Sequence, residues 1–123
     1  GLPNESLISA PVALYGTPMA SFVVNGKVES ESANDPIENI RVIMQMDTAY
    51  TDFDGKYKVV AQSHPSDQDF NIKFQDIDSV LNGEYQNLDT IVEFNDSEFT
   101  GSDGEWDEGE TTTEFNIKLT PKK

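Results

Sequence analysis

The chain lacks cysteine and holds one histidine, His64, and one tryptophan, Trp106. Without cysteine there is no disulfide framework, no thiolate metal site and no thiol nucleophile. One histidine is too few for a zinc cluster built on histidines, and a histidine-based triad would have to run through His64. Cations are also scarce: 8 Lys+Arg stand against 23 Asp+Glu, a formal net charge of −15 with a pI near 4.1. Phosphates are repelled by such a chain, which excludes non-specific binding to nucleic acid or to an anionic membrane. No stretch approaches the roughly 20 apolar residues of a membrane-spanning helix. The opening GLPNESLISAPVALYGTP has neither the basic region nor the long apolar run of a signal peptide.

What is present argues for a folded domain. Seven Phe, four Tyr and one Trp in 123 residues set this chain apart from acidic disordered segments. The length suits one domain with one core. Pro3, Pro11 and Pro18 fall in residues 1–19, half of the six prolines, so 1–19 reads as an irregular arm and 20–123 as the domain. Over 20–29, Phe22, Val24 and Val28 share one phase with Gly26, while Ser21, Val23, Asn25 and Lys27 share the other. A second strand spans 40–46, with Ile40, Val42, Met44 and Met46 inward, and 48–51 continues it across a bend. Asp52-Phe53-Asp54-Gly55-Lys56 carries the strongest hairpin signal, because Asp-Gly supplies positive φ. Strands follow at 57–62, 69–77, 88–94 and 113–120; Phe115, Ile117 and Leu119 are expected inward in the last. No segment shows sustained helical periodicity. The expected fold is all-β: a Greek-key β-sandwich of about seven strands, prealbumin-like or immunoglobulin-like. FNIKF at 70–74 and FNIKL at 115–119 read as two core strands converging on one pattern rather than as a duplication.

Candidate sites follow from the acids. Residues 96–110 hold Asp96, Glu98, Asp103, Glu105, Asp107, Glu108 and Glu110. Asp103-Gly104 forms a turn that would bring Asp103 and Glu105 toward Asp76 and Asp78, four carboxylates of the kind calcium takes from flexible loops. The EF-hand spacing is absent, and the same segment also reads as a solvated, self-repelling loop. Trp106, Tyr85 and Phe99 beside these acids suit stacking on a sugar ring; equally, Trp106 and Phe99 would pin the loop to the sandwich. A glycosidase needs two carboxyls about 5 to 9.5 Å apart across a cleft, and the sequence has no cleft-forming insertion. His64, before Pro65, reads as a surface turn residue. A Lys–Asn cross-link between first and last strands would fall on Lys27 and Asn116; it needs burial, and both occupy the outward phase. No catalytic residue is assigned and no enzyme is expected.

Several segments carry a resemblance. Val24-Asn25-Gly26-Lys27-Val28, Pro36-Ile37-Glu38-Asn39-Ile40-Arg41-Val42 and Thr51-Asp52-Phe53-Asp54-Gly55-Lys56-Tyr57 resemble the carboxypeptidase-regulatory, transthyretin-like superfamily. Across 15–123 the chain resembles the radical-SAM-associated lipoproteins of Gram-negative gut anaerobes. That resemblance implies a signal peptide with a lipobox cysteine, lipid attachment and a place in the cell envelope as an outer-membrane lipoprotein, on its periplasmic or surface face. The chain holds neither feature, so both are expected upstream of Gly1, with residues 1–19 as the tether. The resemblance brings no catalytic residue. The expected function is a non-catalytic accessory or binding module, a monomer meeting an envelope protein or a glycan, with membrane contact only through the lipid. The alternative is a calcium- or carbohydrate-binding module using the 96–110 loop.

Overall fold

The computed structural model describes residues 18–78, 83–102 and 107–122. They form an all-β sandwich of eight strands in two sheets, with no helix among the described residues. The strands are β1 (Met19–Ser30), β2 (Ile40–Met44), β3 (Asp47–Tyr50), β4 (Lys56–Ser63), β5 (Gln68–Asp76), β6 (Leu88–Phe94), β7 (Asp107–Glu114) and β8 (Ile117–Leu119). One sheet has the order β4-β1-β7, with β8 also on β1; the other runs β3-β2-β5-β6. β1 pairs antiparallel with β4 and parallel with β7 and β8.

The core lies between the sheets and is built by the alternating residues. Phe22, Val24 and Val28 from β1 meet Val42 and Met44 from β2, Val59 from β4 and Ile72 and Phe74 from β5. Phe22 is the aromatic centre, its ring 5.1 Å from that of Phe94 and 5.2 Å from that of Phe70, both edge-on. Such contacts place a positive ring edge against a negative ring face. Two polar contacts close the seams. Thr51 Oγ1 donates to the Ile37 carbonyl at 2.6 Å and accepts from Ile40 N at 2.9 Å, so a buried hydroxyl satisfies two backbone groups at the start of β2. Asp47 Oδ2 accepts from Val60 N at 2.8 Å, occupying part of the outer edge of β4.

Four expectations need correction. The strand over 40–46 stops at Met44; Gln45-Met46 is a two-residue hairpin loop, and Met46 is 100% exposed rather than inward. Gln45 takes φ of 52°, the positive value at the first central residue that type II′ hairpins use. The Asp52–Lys56 turn is tight, with Gly55 N bonded to Asp52 O at 2.8 Å, but it is not a hairpin: β3 pairs with β2 and β4 with β1, so the turn passes the chain between sheets. The strand over 113–120 is two pieces, broken at Phe115 and Asn116, where Phe115 is only half-buried against the core. Residues 107–110, read as loop, belong to β7, which raises the strand count from seven to eight. A bulge fits this polar strand onto β1: the partners step from Met19↔Asp107 to Ser21↔Glu110, and Gly109 supplies the positive φ there. Val23, in the outward phase of β1, is nonetheless buried, in a row with Val60 and Thr112.

Candidate functional site

The break between β7 and β8 is where the backbone departs from regular pairing, and it shapes a concave corner of the molecule. The parallel ladder holds to Asn25↔Glu114 and resumes at Val28↔Ile117 in the same register. Between these pairs Phe115 N still donates to Asn25 O at 2.8 Å. The Phe115 carbonyl is instead captured from the core side by the Tyr57 hydroxyl. Lys27 N therefore finds a side-chain acceptor, Asn116 Oδ1, at 2.9 Å. Asn116 Nδ2 in turn donates to Glu114 Oε2 at 3.1 Å. Gly26 makes the arrangement possible: a Cβ there would stand 2.0 Å from the Phe115 carbonyl oxygen. Tyr57, the cross-strand partner of Gly26, fills the space under it, its ring edge-on to Phe74 at 5.4 Å.

The corner is an open concavity of about 410 Å³, lined by Asn25, Gly26, Lys27, Glu29, Lys56, Tyr57, Glu114 and Asn116. Its lining balances two lysines, Lys27 and Lys56, against two glutamates, Glu29 and Glu114, in a chain whose formal net charge is −15. Lys27 stands directly opposite Lys56 across β1 and β4, and Lys58 opposite Asn25 is next along the same outer face. Like charges directly opposite in a sheet cost stability. Lys27 Nζ lies 3.6 Å from Glu29 Oε2, an exposed pair that contributes little. Among the described residues Lys56 and Lys58 have no acidic partner within salt-bridge distance, in a chain with 23 acids.

Burial pushes the Tyr57 hydroxyl well above the ordinary tyrosine range. The folded state therefore keeps the phenol neutral while the unfolded chain ionises it from about pH 10 upward. This group's contribution is complete below pH 10 and is lost as the pH rises toward the folded pKa. Tyr57→Phe is expected to cost about 1 kcal/mol at neutral pH through the lost hydrogen bond. It is also expected to lose less stability than the parent as the pH is raised above 10. Urea midpoints of both proteins at neutral and alkaline pH check this.

The expected calcium set is only half within reach. Asp103, Glu105 and Trp106 lie outside the described residues. Asp76 Oδ2 accepts from Tyr85 N at 2.8 Å, and Asp76 N donates to Asn87 Oδ1 at 3.0 Å, so Asp76 organises the 83–87 segment. Asp78 is half-buried just beyond β5. Among the described residues no group of three or more His, Asp or Glu is placed to hold a metal. Tyr85 and Phe99 are half-buried against the core, and Phe99 packs edge-on to Phe22 at 5.4 Å, which ties the segment before β7 to the sandwich. His64 is exposed after β4, its carbonyl accepting from Ser66 N at 2.8 Å. Lys27 and Asn116 do meet, but through the lysine backbone, and the Lys27 side chain is 42% exposed. The concave corner itself lay beyond the sequence reading, although a glycine inside an alternating strand marks a close backbone approach.

No protein-family model and no curated protein matches the chain.

Proposed function

We propose that the protein is a non-catalytic binding module of the bacterial cell envelope, itself an outer-membrane lipoprotein in which residues 1–19, of which 1–17 lie outside the described residues, are the tether between lipid and sandwich, and that it presents the sandwich to a partner. The finer fold assignment proposed with it is the Greek-key, transthyretin-like arrangement suggested by the motifs at 24–28, 36–42 and 51–57. The observation that carries the binding reading is the concave corner. Its walls are rigid strands, its shape is set by a buried tyrosine and a glycine, and its lysines are placed where they repel each other. A protein fold retains such local cost where a site uses it.

The test uses the complete gene product expressed in a Gram-negative host. Metabolic labelling with palmitate is expected to mark it, and fractionation to place it with the outer membrane. Replacing the cysteine to which the lipid is attached by serine is expected to abolish both. An unlabelled product, or turnover of any substrate in a panel of esters, peptides and glycosides, overturns the proposal.

A further inference from the structure

We infer that the outer edge of β6 accepts an extended, basic segment of another protein as an added strand. The inference goes beyond the binding-module reading: it concerns the sheet that does not carry the concave corner, and it is independent of the envelope assignment.

The strands at the sheet edges are covered unequally. On β4, Val60 N donates to Asp47 Oδ2. On β7, Thr100 and Glu110 exchange backbone bonds of 3.0 and 2.7 Å, and Ser102 Oγ donates to the Asp107 carbonyl at 2.9 Å. β3 is only four residues long. β6 is seven residues long, and among the described residues it bonds to β5 alone. Such an edge is a row of unpaired N–H and C=O groups, a template for one more strand. The side of the sandwich is open there as well. Leu88 and Thr90 share the inward phase of Val92 and Phe94 yet are only half-buried, so the inward residues of an added strand would cover them.

Charge selects the occupant. The outer face of β6 presents Asp89, Ile91 and Glu93, all exposed. Lys73 stands opposite Asp89, but Glu93 stands opposite Asp69, a like-charge pair that costs stability. A second copy of the chain fits this edge badly. With two β6 strands antiparallel about Ile91, Asp89 of each falls opposite Glu93 of the other, between molecules of formal charge −15. A strand with a cation, an apolar residue and a cation at alternate positions fits all three side chains: the cations meet Asp89 and Glu93, and the apolar residue covers Ile91. In strand addition the main chain supplies affinity and the alternate side chains supply specificity. The same acids thus guard the edge against self-association and select a basic partner.

The test titrates the isotope-labelled chain with the acetylated, amidated peptide Thr-Lys-Thr-Val-Thr-Lys-Thr while recording amide spectra and hydrogen exchange. Its side-chain order is the same in both directions, so it serves for either strand orientation. The peptide is expected to shift the amides of β6 and to slow exchange at every second one, the set that β5 leaves free. A peptide with both lysines replaced by glutamate, and one with the central valine replaced by proline, are each expected to bind about tenfold more weakly. Glu93→Lys is expected to weaken the lysine peptide about tenfold, with the melting temperature unchanged or raised because the pair with Asp69 becomes attractive. No change at β6 with the lysine peptide overturns the inference. Equal binding of the proline peptide, which reduces the effect to charge attraction without a strand, overturns it too. So does protection of the same amides that grows with protein concentration in the absence of peptide, which assigns the edge to a second copy.

Discussion

Replacing Phe22 by alanine is expected to remove most of the stability of this domain. Phe22 is fully buried and its ring meets those of Phe70, Phe94 and Phe99 at 5.2, 5.1 and 5.4 Å. These partners come from β5, from β6 and from the segment that precedes β7, so one side chain joins both sheets and a loop. Truncating a buried Phe costs about 3–5 kcal/mol, from lost transfer energy and the cavity left behind. Each edge-to-face pair adds roughly 0.5–1.5 kcal/mol beyond its area, which places Phe22 at the upper end. Domains of this size hold only about 5–15 kcal/mol in total. Urea unfolding is expected to show a midpoint shifted far down at an unchanged slope, or no folded baseline at all. Phe22→Leu, which keeps most of the volume, should retain a cooperative transition. Ile91→Ala, at a position 48% exposed on the outer face of β6, should stay within about 0.5 kcal/mol of the parent. A Phe22→Ala protein as stable as Ile91→Ala would mean that the aromatic cluster is not the centre of the core.

The same cluster shows what could be read from the residues alone. β1, β4, β5 and β6 alternate because one face of each is packed, and a two-residue period is legible without knowing the partners. β7 was hidden because DEGETTTE has no apolar residue; what it buries is Gly109 and Thr111, and its pairing depends on β1 rather than on its own pattern. The Asp-Gly turn at 54–55 announced a reversal correctly, yet a turn does not carry the identity of the next strand's partner. That choice is made by long-range pairing, here of β4 with β1. Met46 had the right phase for burial but fell in a two-residue loop, where the chain reverses before the phase can be used. The repeat FNIKF/FNIKL shows how far local pattern reaches. The first copy lies inside β5 with Phe70, Ile72 and Phe74 all buried, whereas the second spans the break before β8 and buries only Leu119 completely. The concave corner was the least legible feature, since the opposition of Lys27 and Lys56 exists only once the register of β1 and β4 is known.

Gly26→Ala is expected to produce the second large loss, by a different mechanism. The added Cβ would lie 2.0 Å from the Phe115 carbonyl oxygen and 2.6 Å from its carbon, both backbone atoms. That carbonyl cannot simply swing aside, because the Tyr57 hydroxyl holds it from below and Phe115 N is bonded to Asn25 O. Relief requires the 114–117 segment to lift off β1, which strands Lys27 N and frees β8 from the sheet. Overpacking of this sort costs about 1–3 kcal/mol and occasionally more; two backbone contacts inside real packing distance argue for the top of that range, about 3 kcal/mol. Gly101→Ala is the matched control. Gly101 has φ of +81° but no described residue within 4 Å of the would-be Cβ, so the expected cost is the left-handed backbone term of about 1–2 kcal/mol. Thermal unfolding should separate the two variants clearly. Hydrogen exchange should show faster exchange at Lys27 and across β8 in Gly26→Ala alone. If Gly26→Ala costs no more than Gly101→Ala and Lys27 stays protected, then Phe115 does not cross β1 as described, and the concave corner loses the backbone that shapes it.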